Sequence, residues 1–151
     1  MPIEQTLILI KPDGLARRLT GLTIDRLDAA GLDLVAAKMV SVSEKLAQEH
    51  YAEHVGKPFY PNLIRYIRGE FHGLRDHRVL AMVYRGEGAI AKVRATAGAT
   101  NPEQAAPGTI RGSFGRVTTA GQFENVLHAS ANPADAQREV ALWFKAEEIL
   151  P

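Results

Sequence analysis

Val79-Leu80-Ala81-Met82-Val83-Tyr84 is an unbroken apolar run with β-branched and aromatic members, and it reads as the clearest buried strand in the chain. A polar loop, Gly69 to Arg78, leads into it, and a helical pattern around Ala89 to Ala97 follows. Toward the N-terminus, Pro58 and Pro61 break the chain ahead of a shorter helix around Leu63 to Ile67. Before them, Ser41 or Ser43 opens a helical pattern running through Leu46, His50 and His54. Leu32 to Val42, rich in Val, Leu and Ala, is a second strand. A helix of roughly 20 to 30 precedes it, with Leu22, Ile24, Leu27 and Ala30 near helical spacing, Thr20 able to cap it and Gly31 able to end it. The first strand is Thr6 to Ile10. It closes on Lys11 and a turn at Pro12-Asp13-Gly14, where Pro presets φ and Gly relieves the bend.

Toward the C-terminus, Asn101-Pro102, Pro107-Gly108, Gly112 and Gly115 argue against regular structure over most of the span from Gly98 to Gly121. Loops this long inside small domains are usually functional or disordered. Asn125-Val126-Leu127-His128 reads as a short strand, and Pro133 opens a last helix with Val140, Leu142 and Trp143 on its apolar side. The order is therefore βαβααβα, loop, βα, without an internal repeat or low-complexity tract. Strands separated by helices, with few hairpin signals, predict a two-layer α/β sandwich. Four strands fit a ferredoxin-like antiparallel sheet with helices on its faces, and a doubly wound parallel sheet is the competing architecture.

Bulk properties narrow the function classes. The 151 residues fit one domain, residues 1–151, and 46% hydrophobic residues supply its core. Eighteen Lys plus Arg against 17 Asp plus Glu leave a net charge of +1, so no global field draws nucleic acid or a membrane surface. Any anion binding must be local. The absence of cysteine excludes disulfides, thiolate metal sites and a Cys nucleophile, and fits a reducing compartment. Leu7-Ile8-Leu9-Ile10 follows Glu4 and stops at Lys11, too short for a signal segment or a membrane span. A soluble, cytoplasmic protein is the expectation.

The chain has neither a Walker A nor a Rossmann glycine pattern, so phosphate would have to be held by side-chain cations. Lys11 at the end of a strand, Arg94 late in a helix and Arg111 within Pro107-Gly108-Thr109-Ile110-Arg111-Gly112 are the candidates, although any one alone is more often solvated surface. Of five histidines, His50, His54, His72 and His77 lie in helical or polar loop contexts. Only His128, at the end of an apolar strand and followed by Ala129 and Ser130, is placed like a nucleophile, while residue type alone favours a core histidine with a backbone partner. His50 and His54 stand at i, i+4 without a visible third ligand, which reads as a helix face rather than a metal site.

Taken together, Lys11-Pro12-Asp13-Gly14, Asn101-Pro102, Pro107-Gly108-Thr109-Ile110-Arg111-Gly112, Asn125-Val126-Leu127-His128 and Leu142-Trp143-Phe144-Lys145 resemble, in order, the signature segments of nucleoside diphosphate kinases. The resemblance covers nearly the whole chain. It implies a ferredoxin-like fold and reversible γ-phosphoryl transfer between nucleoside triphosphates and diphosphates, with Mg²⁺, by a ping-pong mechanism. By the same resemblance His128 is the phosphorylated histidine, Glu139 fixes its other ring nitrogen, and Ser130 supports Glu139. Lys11 matches the lysine on the transferred phosphate and sugar hydroxyl, and Tyr51 the tyrosine beside the histidine. Arg94, Thr100 and Arg111 match residues holding the other phosphates, Asn125 a sugar-hydroxyl partner, and Phe59 the aromatic on which the base stacks. A homo-oligomer follows, hexamer favoured over tetramer, with neither a membrane nor an obligate nucleic-acid partner.

Three segments depart from the family pattern. Ala129-Ser130-Ala131 replaces the usual Gly-Ser-Asp, removing an acidic side chain that can order metal-bound water, so a changed metal dependence is expected rather than a dead enzyme. Gly115 to Glu124 is longer than usual, leaving Val117 and Phe123 both open as the second apolar contact to the base. Gly69 to Arg78, with Phe71, His72, Arg75 and His77, is a second apparent insertion; it reads as solvated surface ahead of a subunit contact. Two other functions compete: a nucleotide-binding interaction protein with reduced turnover, and, most weakly, nucleic-acid binding through Arg65, Arg68, Arg75 and Arg78.

Overall fold

A computed structural model describes residues 1–151. Three long strands, β1 (Ile3–Ile10), β2 (Asp33–Ser41) and β3 (Arg78–Glu87), are separated by helices, and three short ones, β4 (Arg116–Val117), β5 (Phe123–Glu124) and β6 (Leu127–Ala129), follow one another. The helices are α1 (Pro12–Ala16), α2 (Thr20–Asp28), α3 (Glu44–His50), α4 (Tyr60–Ile67), α5 (Ala89–Ala97), α6 (Ile110–Phe114) and α7 (Pro133–Trp143). One sheet has the order β2-β3-β1-β6 with every neighbour antiparallel, which decides for the ferredoxin-like arrangement over the parallel one. β4 and β5 form a separate hairpin.

Period-two alternation along β1 splits the core in two. Leu7 and Leu9 pack with Ala47 of α3, Ile64 and Ile67 of α4, and Val140 and Trp143 of α7. Ile8 and Ile10 pack on the other face with Leu27 of α2, Val93 of α5 and Ile110 of α6. The two-layer core of sheet, α2 and α5 thus carries a further cover of helices on its second face.

Several local expectations need correcting. Pro12-Asp13-Gly14 is not a turn but the start of α1, because Pro at the first helical position lacks a donor that would go unused there anyway. Leu19, not Thr20, stands at the N-cap of α2, without a side-chain cap. α3 is capped by Ser43, whose hydroxyl accepts from the Leu46 N–H at 3.0 Å, but it ends at His50, and His54 belongs to a separate 3-10 turn. Inside the span read as loop, α6 forms because Thr109 caps it, accepting from the Gly112 N–H at 3.0 Å. Gly112 is required there, since a Cβ would run into the Ala106 carbonyl oxygen. Asn125 and Val126 lie ahead of the last strand rather than in it.

Val126 adopts φ 73°, a left-handed conformation that β-branched residues avoid, and is fully buried. Its N–H donates to Asp13 Oδ2 and its carbonyl accepts from the Lys11 N–H, both at 2.9 Å. The start of α1 therefore clamps the chain just before β6. Strain of this kind costs about 1–3 kcal/mol and persists only when its surroundings enforce it.

Candidate active site

His128 sits in the middle of β6, opposite Leu9 of β1. Its neighbours Leu127 and Ala129 face the α2/α5 core, so alternation turns the imidazole toward α3 and α7. There Nε2–H donates to Glu139 Oε1 at 2.7 Å, a tautomer assigned from the hydrogen-bond network. The Ser130 hydroxyl donates to the same oxygen at 2.8 Å and itself accepts from the Leu7 N–H at 3.1 Å. Burial by itself would raise the Glu139 carboxyl. The hydrogen bond and charge of His128, then Ser130 and Arg138, outweigh it and hold the group below its ordinary range. With Nε2 tied to a carboxylate, Nδ1 is the ring nitrogen left for attack.

His50, read as a helix-face residue, is instead buried beside His128. Its ring meets His128 edge-on at 4.6 Å, and the Trp143 indole N–H donates to its Nδ1 at 3.1 Å. Burial, followed by the charge of His128, pushes its pKa well below the histidine range, so it stays neutral. His54 packs its ring against Phe59, 5.4 Å distant.

The cations converge from three elements. Lys11, at the N-cap of α1, donates to Asn125 Oδ1 and lies 5.0 Å above the Tyr66 ring. Burial lowers its pKa to about 8, with Asp13 and Glu124 opposing and Arg111 adding to the fall. Arg111, in α6, is buried and spends its guanidinium on backbone carbonyls: Gly98 at 3.0 Å, Leu127 at 2.8 Å and Asn125 at 3.3 Å. Burial and the neighbouring Arg94 bring its pKa to about 10. The Asn125 amide also donates to the Thr100 carbonyl at 2.9 Å. Burial raises the Tyr51 hydroxyl far above its usual range, keeping it a neutral donor.

Lys11, Tyr51, Phe59, Arg94, Thr100, Arg111, Asn125 and His128 all line one cleft of about 650 Å³, with Glu139 and Ser130 directly behind the histidine. Phe59 stands 48% exposed, and Phe123, 40% exposed, joins the lining while Val117 does not. Sequence reasoning missed Leu63 and Tyr66, which also line the cleft. The signal was available, because residues 59, 63 and 66 fall at i, i+4 and i+7 on one helical face. The hairpin tip, Ala120 to Gln122, was not foreseen either. Ala131 lies exposed outside the lining.

The loop read as solvated surface is only partly so. Arg75 and Asp76 are exposed, but Phe71 lies under the Arg65 guanidinium at 4.7 Å, and His72 turns in to Glu124 at 3.1 Å. Three of the four arginines proposed for nucleic acid face a carboxylate: Arg65 and Arg68 share Glu70 at 3.7 and 3.8 Å, and Arg78 pairs with Asp76 at 2.7 Å.

Residues 4–149 match the family model described as nucleoside diphosphate kinase. A nucleoside diphosphate kinase of Thermus thermophilus is 47% identical over 98% of this chain and 100% of its own length, and one of Archaeoglobus fulgidus is 46% identical over 98% and 91%. Among solved structures, a transition-state mimic of the Borrelia burgdorferi nucleoside diphosphate kinase with vanadate and ADP superposes with a TM-score of 0.87, at 39% identity over 99% of this chain and 91% of that one. The halophilic enzyme of Halobacterium salinarum in complex with CDP gives 0.86 at 39% identity, covering 99% and 93%.

Proposed function

The chain belongs to the nucleoside diphosphate kinase family, and on that premise we propose that its cleft passes the phosphoryl group through His128 Nδ1. The reaction is the reversible transfer of a γ-phosphoryl group from a nucleoside triphosphate to a nucleoside diphosphate. The observation that carries the residue assignment is the 2.7 Å bond from His128 Nε2–H to Glu139, which leaves the Nδ1 lone pair as the nucleophile. Attack forms an Nδ1–P bond while the bond from γ-phosphorus to the bridging oxygen breaks, and its electron pair departs on the nucleoside diphosphate. The Nε2 proton stays in place against Glu139, whose charge offsets that developing on the ring. A second diphosphate then takes the group back by the same path.

Lys11 neutralises the oxygens of the moving phosphoryl group, and Arg94, Thr100 and Arg111 hold the phosphates behind it. Tyr51 donates from beside the histidine, Asn125 takes a sugar hydroxyl, and Phe59 offers a face to the base. The cleft lining contains neither Asp nor Glu, so a hard divalent cation, Mg²⁺ in this reading, arrives on the nucleotide's phosphates as part of the substrate. Bound there, it neutralises phosphate charge.

The rest of the reading is a homo-oligomer, hexamer favoured over tetramer, acting in the cytoplasm. The assembly is supported by the edge position of β2, where Leu34 and Met39 are exposed; no helix is long and apolar enough to cross a membrane. Sedimentation tests the assembly. To test the chemistry, the protein is incubated with γ-labelled ATP and Mg²⁺, isolated, and given an unlabelled diphosphate. Acid-labile label that chases into triphosphate is expected, and none with His128→Ala. Equal labelling of that variant would sink the assignment, and nucleotide affinity without label would indicate a binding protein.

A further inference from the structure

The loop after α4 and the β4–β5 hairpin meet at one buried carboxylate. Glu124 of β5 has a side chain 6% exposed, and each of its oxygens is engaged by a different segment. Oε1 accepts from Arg116 Nε at 2.8 Å, across the hairpin, and Oε2 accepts from His72 Nε2–H at 3.1 Å, from the loop after α4. Burial would raise the Glu124 carboxyl, and the bonds from Arg116 and His72 more than offset it. A carboxylate so enclosed is stable only while paired. The His72 ring in turn packs edge-on against Tyr66 at 5.2 Å, the same ring that carries Lys11 on its face.

Alternation along β5 assigns its two residues opposite tasks. Glu124 points to the bridge, and Phe123 reaches into the cleft together with the tip Ala120-Gly121-Gln122. A two-residue pairing such as β4–β5 holds no fixed position by itself. Asn125, the next residue, has anchors of its own at Lys11 and the Thr100 carbonyl. The bridge therefore governs the hairpin wall rather than the phosphate-binding floor.

We propose that His72, Glu124 and Arg116 form a positioning bridge that sets the Ala120–Phe123 wall of the cleft against the base of the bound nucleotide. The inference rests on the phosphotransfer reading above. Steady-state kinetics with ATP and with base-free ribose 5-triphosphate, both with Mg²⁺, test it alongside thermal melting. His72→Ala should raise KM for ATP about tenfold while kcat stays within about twofold, the signature of binding lost equally from the ground state and the transition state. The KM for ribose 5-triphosphate should not move. Phe123→Ala should behave alike, and the double variant should be no worse than Phe123→Ala alone, since the two act through one contact. His72→Gln, which keeps a donor toward Glu124, should recover most of the loss. The proposal is overturned by a His72→Ala protein that melts earlier with unchanged KM, by equal KM increases for both substrates, or by additive effects in the double variant; Phe123→Ala decides between base-dependent and base-independent loss should His72→Ala fail to fold. Lack of transferable label on the unsubstituted protein would instead overturn the phosphotransfer reading.

Discussion

Glu139 collects two donors on one oxygen, His128 Nε2–H and the Ser130 hydroxyl, and so sets the direction and the tautomer of the histidine proposed as nucleophile. Glu139→Gln keeps the shape but replaces the anion by a neutral amide that can also donate. It can thereby favour the tautomer with the proton on Nδ1. A fall in kcat of about 10²-fold or more is expected from comparable changes in hydrogen-bonded triads, measured as the rate of phosphohistidine formation at saturating ATP; an unchanged rate would show that Glu139 acts only in packing. Lys11 supplies a pH dependence of definite sign. Its pKa is lowered to about 8 by burial, and only the protonated amine neutralises phosphate. The free enzyme should therefore lose kcat/KM as pH rises through about 8, the value for Lys11. In Lys11→Arg that alkaline limb should disappear, because guanidinium does not titrate in this range. The same shift acts on folding in the opposite sense: the unfolded chain binds the extra proton between about 8 and 10.5, so this residue's contribution to stability improves as pH rises across that window.

Among the elements, α6 shows how a local fit transmits to the site. Gly112 lies one residue from Arg111, with the Ala106 backbone where a side chain would go. Gly112→Ala should cost about 1–3 kcal/mol through overpacking and raise KM for nucleotides as Arg111 is displaced, with urea denaturation and steady-state kinetics as the two measurements. This element also marks the reach of sequence reading. Helices 20–28 and 89–97, the strand at Val79 and the final helix at Pro133 were legible because periodicity and proline signals are local. The β1 run Leu7-Ile8-Leu9-Ile10 left parallel and antiparallel sheets open, since alternation vanishes when helices cover both faces of a strand. Gly112 and Pro107-Gly108 looked like loop chemistry, and only the cap at Thr109 reveals the helix. In the cleft, motif residues were legible one by one. His50 was not, because Trp143, which fixes it, lies 93 residues away. Nor was His72, whose partner Glu124 is 52 residues distant.

At the scale of the molecule, Lys11 and Arg111 are buried cations whose pKa values burial has already lowered, with Arg94 close by. No carboxylate lines the cleft itself, and Asp13, behind it, offsets the two only in part. Held together in the free protein, they repel one another, and a triphosphate relieves that repulsion as it binds. Nucleotide at 100 times its Kd should stabilise the fold by about 2.7 kcal/mol by mass action, seen as a rise in Tm that inorganic salt at equal ionic strength does not match. Equal protection by sodium chloride would reduce the effect to general screening.

The clamp at Val126 adds a consequence of another kind. Its strained backbone is gripped by Asp13 and the Lys11 amide at the start of the first helix, and it directly precedes the strand that bears His128. Residues near the start of the chain thus complete an element near its end. During synthesis Asp13 and the Lys11 amide leave the ribosome more than a hundred residues before Val126, so this clamp can close only late in the making of the chain.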